Sequence, residues 1–317
     1  MSLAVTFVAA PFVRRLMLSH GVVDVPNHRS SHSVPTPLGG GLACLTGVAV
    51  ALFLAQLLSH EVPWVLICGA VILAAVGFAD DHGGLSAIPR LGAQIAVGVV
   101  MGYSVGGGWW FAVAVLVVPI SVNGINFMDG INGITSLNVG LWGLTALVVG
   151  LTNDIGDLVV IGAVVAGATL GFLPWNAPVA KLFLGDVGSY LLGGLVSAGI
   201  LLGVAHGAPI ALLVAPLSLY AIDTGSVLVK RLLKGNPLLE AHRDHVYQRL
   251  VGRAGISHIM VASFTAALAM VITLAWVPGS ALLGVLVTLL VVATYLVSPL
   301  TMERVVEPHR QRTRVST

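Results

Sequence analysis

Charge is scarce in this sequence. Of 317 residues, only 28, or 9%, are Lys, Arg, Asp or Glu, whereas soluble domains run at about a quarter. With 57% apolar residues and a mean hydropathy of +0.98, that scarcity excludes a disordered chain and an ordinary soluble enzyme. Cysteine is scarce as well. Cys44 and Cys68 both lie in apolar runs, which excludes a disulfide framework and a CxxC-type metal site and leaves them as small packing residues. No long period recurs and no Pro/Gly/Ser linker divides the chain, so residues 1–317 read as one integral domain. The class that fits is an all-α polytopic membrane protein.

A bilayer-spanning helix needs about 20 mostly apolar residues. Ten such segments centre on residues 39–59, 63–79, 91–106, 109–122, 133–151, 157–174, 188–205, 208–226, 257–276 and 279–298. An earlier run, residues 3–13, ends at Arg14-Arg15 and allows about 20 Å of helix, too little to cross alone. The expected architecture is therefore about 11 transmembrane helices with a short first one. No basic stretch precedes that run and no clear small-residue cleavage site follows it, which argues against a cleaved signal peptide. Alternating sides groups the connections at 14–38, 80–90, 123–132, 175–187 and 227–256 with the tail at 299–317. All 15 Lys and Arg residues fall in that set, while the other connections hold Glu61, Asp154 and Asp157 and no basic residue. The positive-inside rule assigns the basic set to the cytoplasm, with the amino terminus outside and the carboxyl terminus inside; the expected location is the inner (plasma) membrane.

Ionisable groups near bilayer depth are costly and mark functional sites by default. Here they gather on the cytoplasmic side. Asp80 and Asp81 stand side by side where a span ends; adjacent carboxylates repel unless a cation shares them, and few compensating cations lie nearby in sequence. Asn123, Asn126, Asp129 and Asn132 follow at intervals of three, a spacing expected to align them along one helical face. Such oxygen-rich ligands favour a hard cation such as Mg2+, although Asn-Gly and Asp-Gly pairs also serve as plain turn formers. Asp186 lies between glycines directly before an apolar run, where it could act in a site or simply cap the helix. In the largest cytoplasmic loop His242, Arg243, His245 and Arg249 recur at helical spacing. That face suits a diphosphate, with a lipid-facing basic helix as the plainer alternative. Arg29 and His32, beside a Pro-Thr-Pro-x-Gly-Gly turn, could hold a phosphate at a helix start.

Taken together these motifs resemble the polyprenyl-phosphate N-acetylhexosamine-1-phosphate transferases, glycosyltransferase family 4, which includes phospho-MurNAc-pentapeptide translocase. The likeness runs from Asp24 to Arg249 in the family's motif order, and the wording of the first and last loops is most similar to the bacterial branch that initiates O-antigen or other surface-polysaccharide synthesis. The resemblance implies transfer of a sugar 1-phosphate from a UDP-N-acetylhexosamine to undecaprenyl phosphate, with release of UMP. It carries the family's adjacent aspartates onto Asp80 and Asp81, and its Asn-x-x-Asn-x-x-Asp-Gly motif onto Asn123, Asn126, Asp129 and Gly130. Its Gly-Asp motif falls on Gly185 and Asp186, and its histidine loop on His242 to His245.

On that resemblance Asp80, Asp81, Asp129 and Asp186 are the candidate catalytic residues. Asn126 and Asp186 are the candidate metal ligands for Mg2+, with Mn2+ as an alternative ion. Arg29, His32, Asn123, Asn132, His242, Arg243, His245 and Arg249 are the candidate substrate-binding residues. Asn132 departs from the Asp-Gly-x-Asp-Gly pattern of many bacterial members, so no acid role carries over to it. The expected partners are the UDP-sugar, the lipid phosphate and the bilayer, with no nucleic acid; the oligomeric state is open, a homodimer included. An ion-coupled carrier of an anionic solute is the leading alternative, since buried acids among many spans also describe carriers. Which N-acetylhexosamine is used depends on a few pocket contacts that the sequence does not locate.

Overall fold

The computed structural model describes residues 1–26, 34–235 and 243–315, with side chains described as far as 303. The helices are α1 (Ser2–Ser19), α2 (Gly41–Leu57), α3 (Trp64–Gly83), α4 (Ala87–Ser104), α5 (Trp110–Met128), α6 (Ile134–Thr152) and α7 (Gly156–Asn176). They continue with α8 (Gly185–Ala205), the short α9 (Ile210–Val214), α10 (Ser218–Leu233), α11 (Val246–Gly252), α12 (His258–Trp276) and α13 (Ala281–Val315). A 3-10 turn at Ala215–Leu217 joins α9 to α10 into one rod. Two-residue strands β1 (Val23–Asp24) and β2 (Thr36–Pro37) pair antiparallel. Among the described residues, 9 helical rods are long and apolar enough to cross a membrane, and Gly41–Leu57 is a shorter apolar helix. With Ala87–Ser104 these make the all-α polytopic arrangement that the apolar runs predict.

The first helix corrects the expectation of a short one. It runs 18 residues through Arg14 and Arg15 to Ser19 and is among the 9 long rods. Arginine has nearly the helix propensity of leucine, and its stem can lie along apolar surface, so a charge pair need not stop a helix. Arg14 instead sends its Nε–H to the Lys181 carbonyl, 3.1 Å away.

Helix α8 forms the centre of the fold, with 94% of its span buried inside the protein. It packs on α3 and α5, with α2 and α7 also in contact. Small residues permit this: a side chain at Gly193 would run into the α5 backbone at Val122, and one at Gly194 into α3 at Ala70. The connections sort onto two ends. At one end β2 and the following glycines lie along residues 183–184, where Gly40 and Gly41 donate to the Phe183 and Leu184 carbonyls at 2.7 and 2.8 Å. The aspartates gather at that same end. At the other end Ser59, His60, Glu61, Asn153, Asp154, Asp157 and His206 line an open cleft of about 460 Å3 that has no Lys or Arg in its lining.

Candidate active site

Three helix ends build the site. Helix α3 delivers Asp80 and Asp81 in its last turn and stops at Gly84, whose left-handed φ of 63° lets the chain turn back. Helix α5 delivers Asn126 and ends at Met128, with Asp129 just beyond. Helix α8 opens at Gly185-Asp186. Asp81 ties α3 to α8: its two oxygens accept the N–H groups of Asp186 and Val187 at 2.9 and 3.1 Å. Asn126 ties α5 to α8, its Nδ2 donating to Asp186 Oδ1 at 2.6 Å and to Ser189 Oγ at 3.0 Å.

Asp80 accepts the Leu85 N–H at 2.7 Å and the Arg90 guanidinium at 2.6 Å. Arg90 is thus a compensating cation close in sequence, where few were expected. The tight Gly83-Gly84 turn returns the chain as α4, whose first turn carries Arg90 back over Asp80. The Asp186 carboxylate faces both Asp80 and Asp81, so three acids converge with one cation paired among them. Among the described residues no group of three or more His, Cys, Asp or Glu is placed to hold a metal ion. The donors that are present, Asp186 and the Asn126 carboxamide with Asp80 and Asp81 beside them, suit a hard cation whose remaining ligands are water and phosphate oxygens.

Asp129 sits just past α5, where burial, reinforced by the negative charge of Asp81, pushes its carboxyl up to about 7. The expectation of one aligned face over Asn123, Asn126, Asp129 and Asn132 does not hold. Steps of three fall short of a 3.6-residue turn and drift around the axis, and the helix ends before Asp129. Asn123 turns toward α4, donating to Gln94 Oε1 at 2.7 Å and to the Pro119 carbonyl at 2.8 Å. Asn132 donates through Nδ2 to the Pro178 carbonyl at 3.1 Å, away from the three acids.

The expected helical face over His242, Arg243, His245 and Arg249 is also corrected, because α11 begins only at Val246. His245 precedes it in extended conformation and is buried, with Nδ1 3.2 Å from Asp223 Oδ1, while Arg243 is exposed. Arg249 directs its guanidinium to both Glu303 oxygens at 3.2 and 3.3 Å. Tyr247 donates to the Phe127 carbonyl at 3.0 Å and so seats α11 on the end of α5; withdrawal from water raises its phenol well above the ordinary tyrosine range. Arg29, His32 and His242 lie outside the described residues.

Sequence reasoning missed Arg90, Gln94, Asp223 and Tyr247. Asp223 was the most legible of them, being an acid inside the apolar run 208–226.

Residues 63–204, which carry α3 through α8, match the glycosyl transferase family 4 model. The chain is 34% identical over 311 residues to the decaprenyl-phosphate N-acetylglucosaminephosphotransferase of Mycolicibacterium smegmatis, covering 80% of this chain and 74% of the relative. It is 29% identical over 280 residues to a probable undecaprenyl-phosphate N-acetylglucosaminyl 1-phosphate transferase of Bacillus subtilis, covering 82% and 77%. It is 28% identical over 289 residues to the phospho-N-acetylmuramoyl-pentapeptide-transferase of Symbiobacterium thermophilum, covering 79% and 85%.

Proposed function

This chain belongs to glycosyl transferase family 4, and on that premise we propose that it transfers an N-acetylhexosamine 1-phosphate from a UDP-sugar to undecaprenyl phosphate. An oxygen of the lipid phosphate attacks the sugar-bearing phosphorus of the donor. The bond from that phosphorus to the bridging oxygen breaks, and UMP leaves with that oxygen. The product, a polyprenyl diphosphate sugar, is the first membrane intermediate of O-antigen or another envelope polysaccharide.

The observation that carries this reading is the convergence of Asp80, Asp81 and Asp186 with Asn126 where three helix ends meet. Phosphoryl transfer demands charge neutralisation and positioning more than covalent help. Asp186 and Asn126 are the residues that would hold Mg2+, which neutralises diphosphate charge when bound. Asp81 is committed to the α8 N–H groups and fixes Asp186 in place; Asp80, held by Arg90, orients the acceptor phosphate. His245 borders the donor diphosphate. The segregation of Lys and Arg to this end supports a cytoplasm-facing site in the inner membrane. A carrier would place its acids near mid-bilayer, and these stand at helix ends.

The test is purified protein with undecaprenyl phosphate, Mg2+ and a panel of UDP-N-acetylhexosamines, reading UMP and lipid product. Asp186→Asn is expected to abolish Mg2+-dependent UMP release. Normal turnover in that variant would sink the metal role, and no product from any donor would sink the reaction.

A further inference from the structure

Helix α1 packs along the second half of α7. Ser2 Oγ donates to the Val164 carbonyl at 3.0 Å, the Trp175 indole N–H donates to the Phe7 carbonyl at 3.1 Å, and the Arg14 Nε–H reaches the Lys181 carbonyl just beyond α7. The two helices therefore run in the same direction, with residues 2–14 beside residues 164–181. Helix α7 has 21 residues, a length of about 30 Å, or one hydrocarbon core. The stretch from Ser2 to Arg14 thus lies at the depth of a single leaflet, on the side where the basic residues gather.

Two features share that leaflet. One is an apolar groove of about 330 Å3 on α1, lined by Ala4, Val5, Val8 and Ala9. The other is a set of three cations at the groove's basic end. Arg14 commits only Nε to the Lys181 carbonyl, which leaves its Nη fork to donate elsewhere. Lys181 Nζ stands 5.6 Å from the centre of the Trp175 ring, an aromatic placed where a membrane interface favours one. Arg15 is exposed and shares the helical stripe of Val8, about two turns or 10 Å away. Among the described residues none of the three cations is paired with a carboxylate.

We propose that this face of α1, with the α7–α8 connection, holds one anionic glycerophospholipid, its phosphate at Arg14, Arg15 and Lys181 and one acyl chain in the groove from Ala9 to Ala4. Unpaired cations select the charge of the head, and basic pockets between spans are suited to such lipids. A zwitterionic lipid brings its own cation to a site that already has three. A soluble anion gains nothing from the groove. Helix α1 packs on α2 and α7, whereas Asp80, Asp81 and Asp186 stand on α3 and α8. The lipid held here is therefore a structural partner, outside the acid cluster.

The test uses the full chain, purified in detergent and stripped of lipid, with binding read by native mass spectrometry. Phosphatidylglycerol is compared with phosphatidylcholine of identical chains, and the first is expected to bind at least about 10-fold tighter. A basic side chain near a headgroup contributes about 5-fold, so Arg15→Gln and Lys181→Gln should each weaken phosphatidylglycerol by that factor and leave phosphatidylcholine within about 2-fold. Lys234→Gln, an exposed cation at the same end of the bundle, serves as the control and should change neither by more than about 2-fold. Ala4→Trp fills the groove and should weaken both lipids alike. Arg15 and Lys181 are exposed, and an unchanged thermal midpoint without lipid identifies a folded variant. Equal affinity for the two lipids overturns the proposal, as does a preference that survives Arg15→Gln combined with Lys181→Gln, or an equal loss in Lys234→Gln. Unchanged binding in folded Ala4→Trp overturns it as well. Displacement of phosphatidylglycerol by an equal concentration of glycerol 3-phosphate would make this a free-phosphate site, and tighter binding of undecaprenyl phosphate at Arg15 and Lys181 would make it a substrate site; either result overturns the assignment to a resident phospholipid.

Discussion

The Asp81 carboxylate receives the backbone N–H of Asp186 at 2.9 Å across 105 residues of sequence. Its second oxygen takes the next N–H, that of Val187. An acid that reads as a catalytic candidate from its position beside Asp80 thus also caps the central helix, satisfying orphan donors at the positive end of its dipole. The position of Asp186 therefore depends on a side chain delivered by a different span.

This relationship can be broken from the α8 side. Gly185 adopts φ +75°, and a Cβ there would stand 2.7 Å from Asp81 Oδ2. Gly185→Ala combines a left-handed backbone penalty of about 1–2 kcal/mol with displacement of the cap. A lower thermal midpoint is expected, and with Asp186 displaced a loss of UMP release of about 10-fold, the equivalent of about 1.4 kcal/mol of transition-state stabilisation. Asp81→Asn keeps one acceptor oxygen and should fall between Gly185→Ala and the wild type in stability. Wild-type melting of Gly185→Ala would show that the cap does not hold α8.

How much of this was legible in sequence follows from the physics of each residue. Asp80, Asp81, Asn126 and Asp186 are legible as candidates because polar groups at the ends of apolar runs stand out, and loops on one side of a membrane must meet at one end of the bundle. The pairing of Asp80 with Arg90 was not readable, because it depends on where α3 stops and α4 turns back. The histidine loop misled by its period: His245 lies before the helix, so its spacing to Arg249 says nothing about a shared face. Asp223 carries a different signal, an acid within an apolar run and not at its end.

Asn123 should prove to be a structural partner of Gln94. Gln94 has no exposed surface, and the two carboxamides pair across α4 and α5 at 2.7 and 3.4 Å. Asn123→Ala leaves the Gln94 amide buried without that partner, at a cost of about 1–3 kcal/mol. Replacing both by Leu should cost less than either single change, because no polar group is then stranded. Thermal melting in detergent measures the order, and KM for the UDP-sugar should stay unchanged throughout. A rise in KM with Asn123→Ala and wild-type melting would return Asn123 to the substrate.

The Arg249 fork grips Glu303 and so clamps α11 against α13. Glu303→Gln removes the charge from that clamp and should lower both the thermal midpoint and turnover, the stability loss being on the order of 1 kcal/mol for a partly exposed pair. The exchanged pair Arg249→Glu with Glu303→Arg should regain part of both. Recovery of stability without recovery of turnover would mean that the Arg249 charge is needed by the substrate itself.

Arg90 offers a test in which two constants should move in opposite directions. It is the cation paired with Asp80, 2.6 Å away, where Asp80, Asp81 and Asp186 converge. Arg90→Gln keeps a donor but removes one positive charge from the mouth of the site. A cation should then bind more tightly and a phosphate less tightly, each by about 1 kcal/mol for one charge a few ångströms away in a partly solvated site, or about 5-fold. The expected result is a lower half-saturating Mg2+ concentration together with a higher KM for undecaprenyl phosphate. Arg90→Lys keeps the charge and should leave both near wild type, separating the field from the fork geometry. If Arg90→Gln raised both constants together, Arg90 would be acting by shaping Asp80 and not by its charge, and the assignment of Asp80 to the acceptor phosphate would lose its electrostatic basis.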